Sequence, residues 1–260
     1  MPDFLDKLAQ DAKETIDSGY YNVSSGIPTA PSVSLKKAIV QSKHAPIISE
    51  IKAASPSLGI IRKNLSPEKV AVAMENGGAA GISVLTEPKH FNGALISLTK
   101  VRNAVRLPVL MKDIIISSIQ LETASKIGAN AILLIGALFE RGYCEDDVNE
   151  MIAEAHSRNL EVLLETHNVN EFRSAVGTNA DLIGINNRDL GTLKVDLEAT
   201  RRILAENDAG GKIVVSESGI EKPDDIRFLY ECGARAFLIG SSIMLTQDIE
   251  KKVRELVSAL

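Results

Sequence analysis

The sequence predicts an α/β fold, a (β/α)8 TIM barrel with an N-terminal helical extension, and three observations lead there. Eight short apolar runs rich in Val, Ile and Leu recur along the chain: Pro46–Ser49, Gly81–Leu85, Pro108–Met111, Ala131–Ile135, Glu161–Leu164, Asp181–Ile185, Lys212–Val215 and Ala236–Ile239. Continuous apolar runs suit strands buried on both faces of a parallel sheet. Helical signals separate them, and strands alternating with helices point to such a barrel. Finally, Gly78-Ala79, Gly128-Ala129, Gly177-Thr178-Asn179-Ala180 and Gly233-Ala234 lead into every second run. This is a fourfold repeat of two strand–helix units, in which each Gly ends a helix and each Ala packs against the next strand. An open doubly wound sheet is the alternative. It favours a GxGxxG turn after its first strand, and none stands there.

In chain order, Phe4, Leu5, Leu8 and Ile16 predict an extra helix, and Ser24–Ser34 reads as a Pro- and Ser-rich connector. Residues 1–260 are taken as one barrel domain, of which 1–42 is the extension. Ser66-Pro67-Glu68 opens a helix with an N-cap residue, Pro at the first helical position and an acid in the first turn. Glu145–Asn159 sets Val148, Ile152 and Ala155 at helical spacing. Lys222-Pro223-Asp224-Asp225-Ile226 opens another helix that Gly233 fits to end, and Gln247–Leu260 closes the chain as an amphipathic helix.

Composition narrows the class. A chain that is 45% hydrophobic and 24% charged is not disordered, and 18 Gly with 9 Pro is not collagen-like. Its length suffices to bury roughly 70–75% of the unfolded surface without disulfides or metal. A net charge of -5 argues against nucleic acid as a partner, yet leaves room for a small anionic ligand. Cys144 and Cys232 have no CxxC partner and read as free thiols in a reducing compartment. The N-terminus lacks the basic and apolar regions of a signal peptide, and no apolar run approaches the ~20 residues of a membrane helix. The expectation is a cytoplasmic protein with no membrane association.

The odd-numbered strands share a signature of three buried-type residues followed by an ionisable one: Ile47-Ile48-Ser49-Glu50, Val109-Leu110-Met111-Lys112, Val162-Leu163-Leu164-Glu165 and Val214-Val215-Ser216-Glu217. Alternate strands of such a barrel contribute four side chains to each interior layer, and its sites lie at the C-terminal mouth. In a shared register, Glu50, Lys112, Glu165 and Glu217 form one layer there, with Lys52 pointing the same way as Glu50. A single charge at a strand end is often the solvated start of a loop; four in phase are hard to explain as surface. Buried charges must pair or shift their pKa values, so the set can supply acid and base together. The chemistry suggested is proton transfer on a small polar substrate, with no metal and no redox cofactor.

The even strands end in polar groups. Asn186 can donate and accept, and Arg188 can fork onto a carboxylate or phosphate. Glu217-Ser218-Gly219 and Gly240-Ser241-Ser242 follow strands seven and eight, where this fold commonly binds phosphate; tight turns would equally use those glycines. Ser55-Pro56-Ser57 adds hydroxyls after the first strand. His44, His90, His156 and His167 share no spacing, so surface or capping roles are expected rather than metal ligation. Cys144 and Cys232 fall in helical stretches. Asp113 either orients Lys112 or begins the loop.

These motifs together resemble the indole-3-glycerol phosphate synthase family. The resemblance rests on Ser49-Glu50-Ile51-Lys52 with Ser55-Pro56-Ser57, Leu85-Thr86-Glu87 with Phe91-Asn92-Gly93, Val109-Leu110-Met111-Lys112-Asp113, Gly184-Ile185-Asn186-Asn187-Arg188-Asp189-Leu190 and Ser216-Glu217-Ser218-Gly219-Ile220. They run in order from about residue 35 to 245. The resemblance implies decarboxylating ring closure of 1-(2-carboxyphenylamino)-1-deoxyribulose 5-phosphate in tryptophan biosynthesis, by a monomer without a cofactor. It implies Lys112 as general acid, Glu165 as partner acid/base and Glu50 as the positioning carboxylate. Lys52, Asn186, Arg188 and Glu217 would contact the substrate. Phe91, Leu133 and Leu190 would enclose its ring, and Ser55, Ser218, Gly219, Gly240 and Ser241 would hold its phosphate. One departure is Ile114, where the family often has Phe; it implies weaker packing on the anthranilate ring. A sugar isomerase on the same barrel, like phosphoribosylanthranilate isomerase, would expect an Asp or Cys pair instead. A non-catalytic ligand-binding barrel would expect erosion of Glu50, Lys112 or Glu165, and all three are present.

Overall fold

The computed structural model describes residues 3–24, 33–55, 59–62, 65–189 and 191–260. Most of the predicted connector, Pro56, Ser57 and Leu190 lie outside these residues. Eight parallel strands close into a barrel: β1 (Ile47–Ile51), β2 (Gly81–Leu85), β3 (Val109–Lys112), β4 (Ala131–Ile135), β5 (Glu161–Thr166), β6 (Leu182–Asn186), β7 (Ile213–Glu217) and β8 (Ala236–Ile239). Every predicted run is a strand, but the odd strands extend one or two residues past their apolar runs. Glu50, Lys112, Glu165 and Glu217 therefore belong to the strand ladder rather than to the loops.

The register explains how these four meet. Glu50 pairs with Ser83 and Ser83 with Leu110, two residues short of Lys112. Glu165 leads through Gly184 to Val215, two short of Glu217, and Glu217 leads through Leu238 to Ile48, two short of Glu50. This stagger accompanies the strand tilt of an eight-stranded barrel, and it brings the four onto one level across the axis. Below them Ile48, Leu110, Leu163 and Val215 fill the interior with Leu133, Leu182 and Leu238 from even strands.

Outside, the helices α1 (Phe4–Asp17), α2 (Leu35–Gln41), α3 (Pro67–Asn76), α4 (Leu95–Ala104), α5 (Ser118–Lys126), α6 (Gly136–Glu140), α7 (Val148–Ser157), α8 (Val169–Val176), α9 (Glu198–Ala205), α10 (Pro223–Glu231), α11 (Ser241–Met244) and α12 (Ile249–Val257) complete the fold. A second core between helices and strands includes Met74, Leu98, Leu121, Phe172, Ile226 and Val253 against Ile82, Val109, Val162 and Phe237. The helix expected from Glu145 begins at Val148, because the Asp147 side chain accepts from the N–H groups of Asn149 and Glu150 and caps it there. Cys144 consequently sits in the loop before α7, not in a helix, while Cys232 caps α10. The Gly repeat is looser than expected. Gly78, Gly128 and Gly233 adopt positive φ, but Gly177 ends α8 at φ -76° and the Thr178 hydroxyl bonds the Ala175 carbonyl at 2.7 Å instead.

The extension serves both ends of the barrel. α1 lies against loops at the mouth: Arg141 pairs with Asp3 and Asp6 at 2.8 and 2.7 Å, and His90 with Asp11 at 2.7 Å. α2 closes the opposite end, where Leu35 is fully buried and the Lys36 N–H donates to Glu161 at 3.0 Å. Among the described residues no helix is long and apolar enough to cross a membrane.

Candidate active site

The four predicted side chains do converge. Lys112 Nζ lies 3.1 Å from Glu165 Oε2 and 3.3 Å from Glu217 Oε2. Lys52 Nζ sits 2.9 Å from Glu50 Oε1. The three glutamates are only 3%, 2% and 1% exposed for Glu50, Glu165 and Glu217. Their bulk needs space, and two glycines provide it. A Cβ on Gly184 would collide with Glu217 Oε1, and one on Gly240 would lie 2.5 Å from Glu50 Oε1. Gly240, singled out as a phosphate-loop glycine, thus stands where a side chain would press on the Glu50 carboxylate. Gly184 stood in the sequence only as the first residue of the motif around Asn186.

The layer holds different protonation states side by side. Burial opposes the charge on Lys112, but Glu165, Glu217 and Glu50 outweigh it and hold the ammonium pKa above the usual lysine value. Burial likewise pushes Glu165 up, but Lys112, His167 and Asn186 more than reverse this and keep it ionised. Glu217 goes the other way: burial, helped by the charges of Glu165 and Glu50, exceeds the pull of Lys112 and raises it to about 8. At neutral pH the site offers an ammonium, a carboxylate and a carboxylic acid within one layer.

Around the layer, Asn186 Nδ2 donates to Glu165 Oε1 at 3.0 Å while its Oδ1 accepts from the Arg188 N–H at 3.0 Å. Arg188 is half-buried and donates to the Leu193 carbonyl at 2.8 Å. Leu133 is buried in the interior cluster beneath the charged layer, so it forms floor rather than wall. Phe91 packs at the edge of that cluster, its N–H bonded to Glu87 at 3.0 Å. Ile114 is buried there too. Asp113 begins the loop: its carboxylate accepts from the Tyr21 hydroxyl at 3.0 Å, from Thr86 and from the Ile114 N–H at 2.8 Å. That joins the extension to two mouth loops.

His167 corrects a sequence expectation. It is not a surface residue: besides engaging Glu171 at the start of α8, it has a side chain only 11% exposed, and Nε2 lies 3.1 Å from Glu165 Oε1. The available signal was its place two residues after Glu165, the spacing that relates Lys52 to Glu50.

The loops after β7 and β8 form one rim. Ser218 and Gly219 take consecutive positive φ values of 69° and 82°, and a Cβ on Gly219 would strike Val195. The Ser218 carbonyl accepts from Asn187 Nδ2 at 3.1 Å. Ser242 Oγ donates to the Ile220 carbonyl at 2.9 Å, tying the two loops together, and Ser241 opens α11. Ser55 is buried in a short ribbon, Ala54–Ser55 with Gly59–Ile60, beyond β1. Among the described residues no cluster of three or more His, Cys, Asp or Glu is arranged to hold a metal ion.

Comparison with known proteins agrees with this geometry. The model of the indole-3-glycerol phosphate synthase family matches residues 5–256. A Methanocaldococcus jannaschii protein named indole-3-glycerol phosphate synthase is 45% identical over 227 residues, covering 86% of this chain and 82% of its own. One of the same name from Bacillus velezensis is 37% identical over 254 residues, covering 97% and 98%. Among solved structures, a thiamine phosphate pyrophosphorylase from Pyrococcus furiosus matches with a TM-score of 0.59 and 19% identity over 85% of this chain and 96% of that one, a likeness of fold alone. Identity of 37–45% across 86–97% of the chain, on top of the family match, places it plainly: the chain belongs to the indole-3-glycerol phosphate synthase family, carboxy-lyases of tryptophan biosynthesis.

Proposed function

We propose that this enzyme converts 1-(2-carboxyphenylamino)-1-deoxyribulose 5-phosphate to indole-3-glycerol phosphate, CO2 and water, with Lys112 as proton donor and Glu165 as proton acceptor. The observation that carries this assignment is the contact of one half-buried ammonium with both Glu165 and Glu217 at the barrel mouth. As the aryl carbon attacks the ribulose carbonyl, the oxygen gains charge and takes a proton from Lys112; CO2 then leaves the ring carbon. Dehydration needs a proton on the new hydroxyl and a proton taken from the ring system, and Glu165 facing Lys112 can serve the second. Glu50 Oε2 and Glu217 Oε1 are buried without hydrogen-bond partners among the described residues. Such orphaned oxygens are costly and complement the hydroxyls of a sugar chain.

Lys52 and Arg188 supply cations near Glu50 for the substrate carboxylate, and Asn186 orients Glu165. Phe91, Leu133 and Leu190 are assigned to the aromatic ring. Ser55, Ser218, Gly219, Gly240 and Ser241 are assigned to the phosphate, since the loops after β7 and β8 with a short helix are where this fold takes phosphate. The same reading takes residues 1–260 as one domain, a cytoplasmic monomer with no cofactor, metal, nucleic acid or membrane partner. Incubation with the carboxyphenylamino substrate should produce indole fluorescence and stoichiometric CO2. Failure to form either, with phosphoribosylanthranilate isomerised instead, would overturn it.

A further inference from the structure

β5 ends at Thr166, and His167 follows Glu165 to the mouth just as Lys52 follows Glu50 on β1. The imidazole lies between two acids: Nε2 is 3.1 Å from Glu165 Oε1 and Nδ1 is 3.3 Å from Glu171 Oε2. A neutral imidazole has one N–H and one lone pair. Nδ1 hydrogen-bonds Glu171, while Nε2 faces Glu165 at ion-pair distance but outside hydrogen-bond geometry; two carboxylates against one ring favour its charged, doubly protonated form. Glu171, at the start of α8, is itself fixed by the His167 N–H at 2.8 Å and by the Asn168 amide. Asp189, in the loop after β6, also interacts electrostatically with the ring. Lys112 of β3 stands on the other oxygen of Glu165 at 3.1 Å. Burial works against the ring's charge, but Glu165 and Glu171 outweigh it and raise its pKa to about 9.

We infer that His167 is a positioning residue for ring closure: its imidazolium holds Glu165 with Oε2 toward Lys112 and keeps that carboxylate ionised between turnovers. This rests on the assignment of Glu165 as proton acceptor. Without His167, Glu165 Oε1 keeps only Asn186, so the carboxylate is less firmly oriented and gains a proton more readily.

Steady-state kinetics and imidazole 15N NMR test this together. His167→Ala should lower kcat about tenfold at neutral pH, because a less firmly held carboxylate meets the proton less often, with KM nearly unchanged. His167→Asn keeps an N–H donor but no charge; it should recover part of the lost kcat. In the otherwise native enzyme, the His167 ring should remain doubly protonated at pH 7.5 and titrate lower in Glu165→Gln. A folded His167→Ala enzyme with native kcat would overturn the inference, as would a change in KM alone or a ring neutral at pH 7.5. If the ring titrates as expected but the substrate is never turned over, the reaction assignment falls and the ion pair stands.

Discussion

Lys112 depends on its neighbours for its role: burial opposes its charge, and the Glu165 carboxylate against it, with Glu50 nearby, holds that charge in place. Lys112→Ala should therefore cost 10²–10⁴-fold in kcat, the range for one acid/base group, while substrate still binds. Lys112→Arg should not restore the rate, because guanidinium holds its proton too tightly and has another shape. Glu217 sets a second expectation. Burial raises its pKa to about 8, so it is a neutral acid below that pH and a second carboxylate beside Glu165 above it. Lys112 titrates higher still, so the alkaline fall of kcat/KM should lie near pH 8 and report Glu217. Glu217→Gln should be slower throughout but flat across that range. The identities of these residues were legible from the phase of the odd strands. That Glu217 stays protonated while Glu165 does not was hidden, because the difference comes from Asn186, His167 and the packing around each carboxylate.

Strands were legible at the scale of the element because buried parallel strands read as continuous apolar runs. The loops were less so. Asp113 follows Lys112 in sequence, yet it reaches across to Tyr21 and Thr86. Its pKa is raised to about 6 by burial, only partly offset by those hydrogen bonds and the Ile114 N–H. A carboxyl whose pKa is higher folded than unfolded favours the folded state at low pH, and that advantage disappears as pH rises through the folded value. Relative to Asp113→Asn, wild-type stability measured by urea unfolding should thus fall by roughly 2–3 kcal/mol between pH 4 and pH 7. A parallel pair of pH profiles would contradict the buried network. No local pattern could have announced it, since its members are separated by 92 and 27 residues.

Closure of the barrel is the property of the whole molecule that the active site needs. The stagger of two residues at each odd strand places four separate strand ends on one level, and the extension packs at both ends. A ligand that spans this mouth binds only the closed barrel, so it should stabilise by mass action. At a hundred times its Kd, indole-3-glycerol phosphate should add about 2.7 kcal/mol, a Tm rise of roughly 5–11 °C for a chain near this size. Calorimetry should find that rise reduced in Gly219→Ala, where a Cβ would strike Val195 and displace the loop assigned to the phosphate.

By itself the sequence determined the strand count, the order of strands and helices, and which residues are the inward charges of the odd strands. Periodicity and position within a repeat are local properties, and a parallel barrel writes them plainly. Only the tertiary structure decided which charge stays ionised, which carboxylates a side chain at Gly184 or Gly240 would press on, and that His167 belongs at the mouth. Each of those depends on distances between residues far apart in sequence, and the electrostatic cost of burying a group is set by the neighbours that folding brings to it.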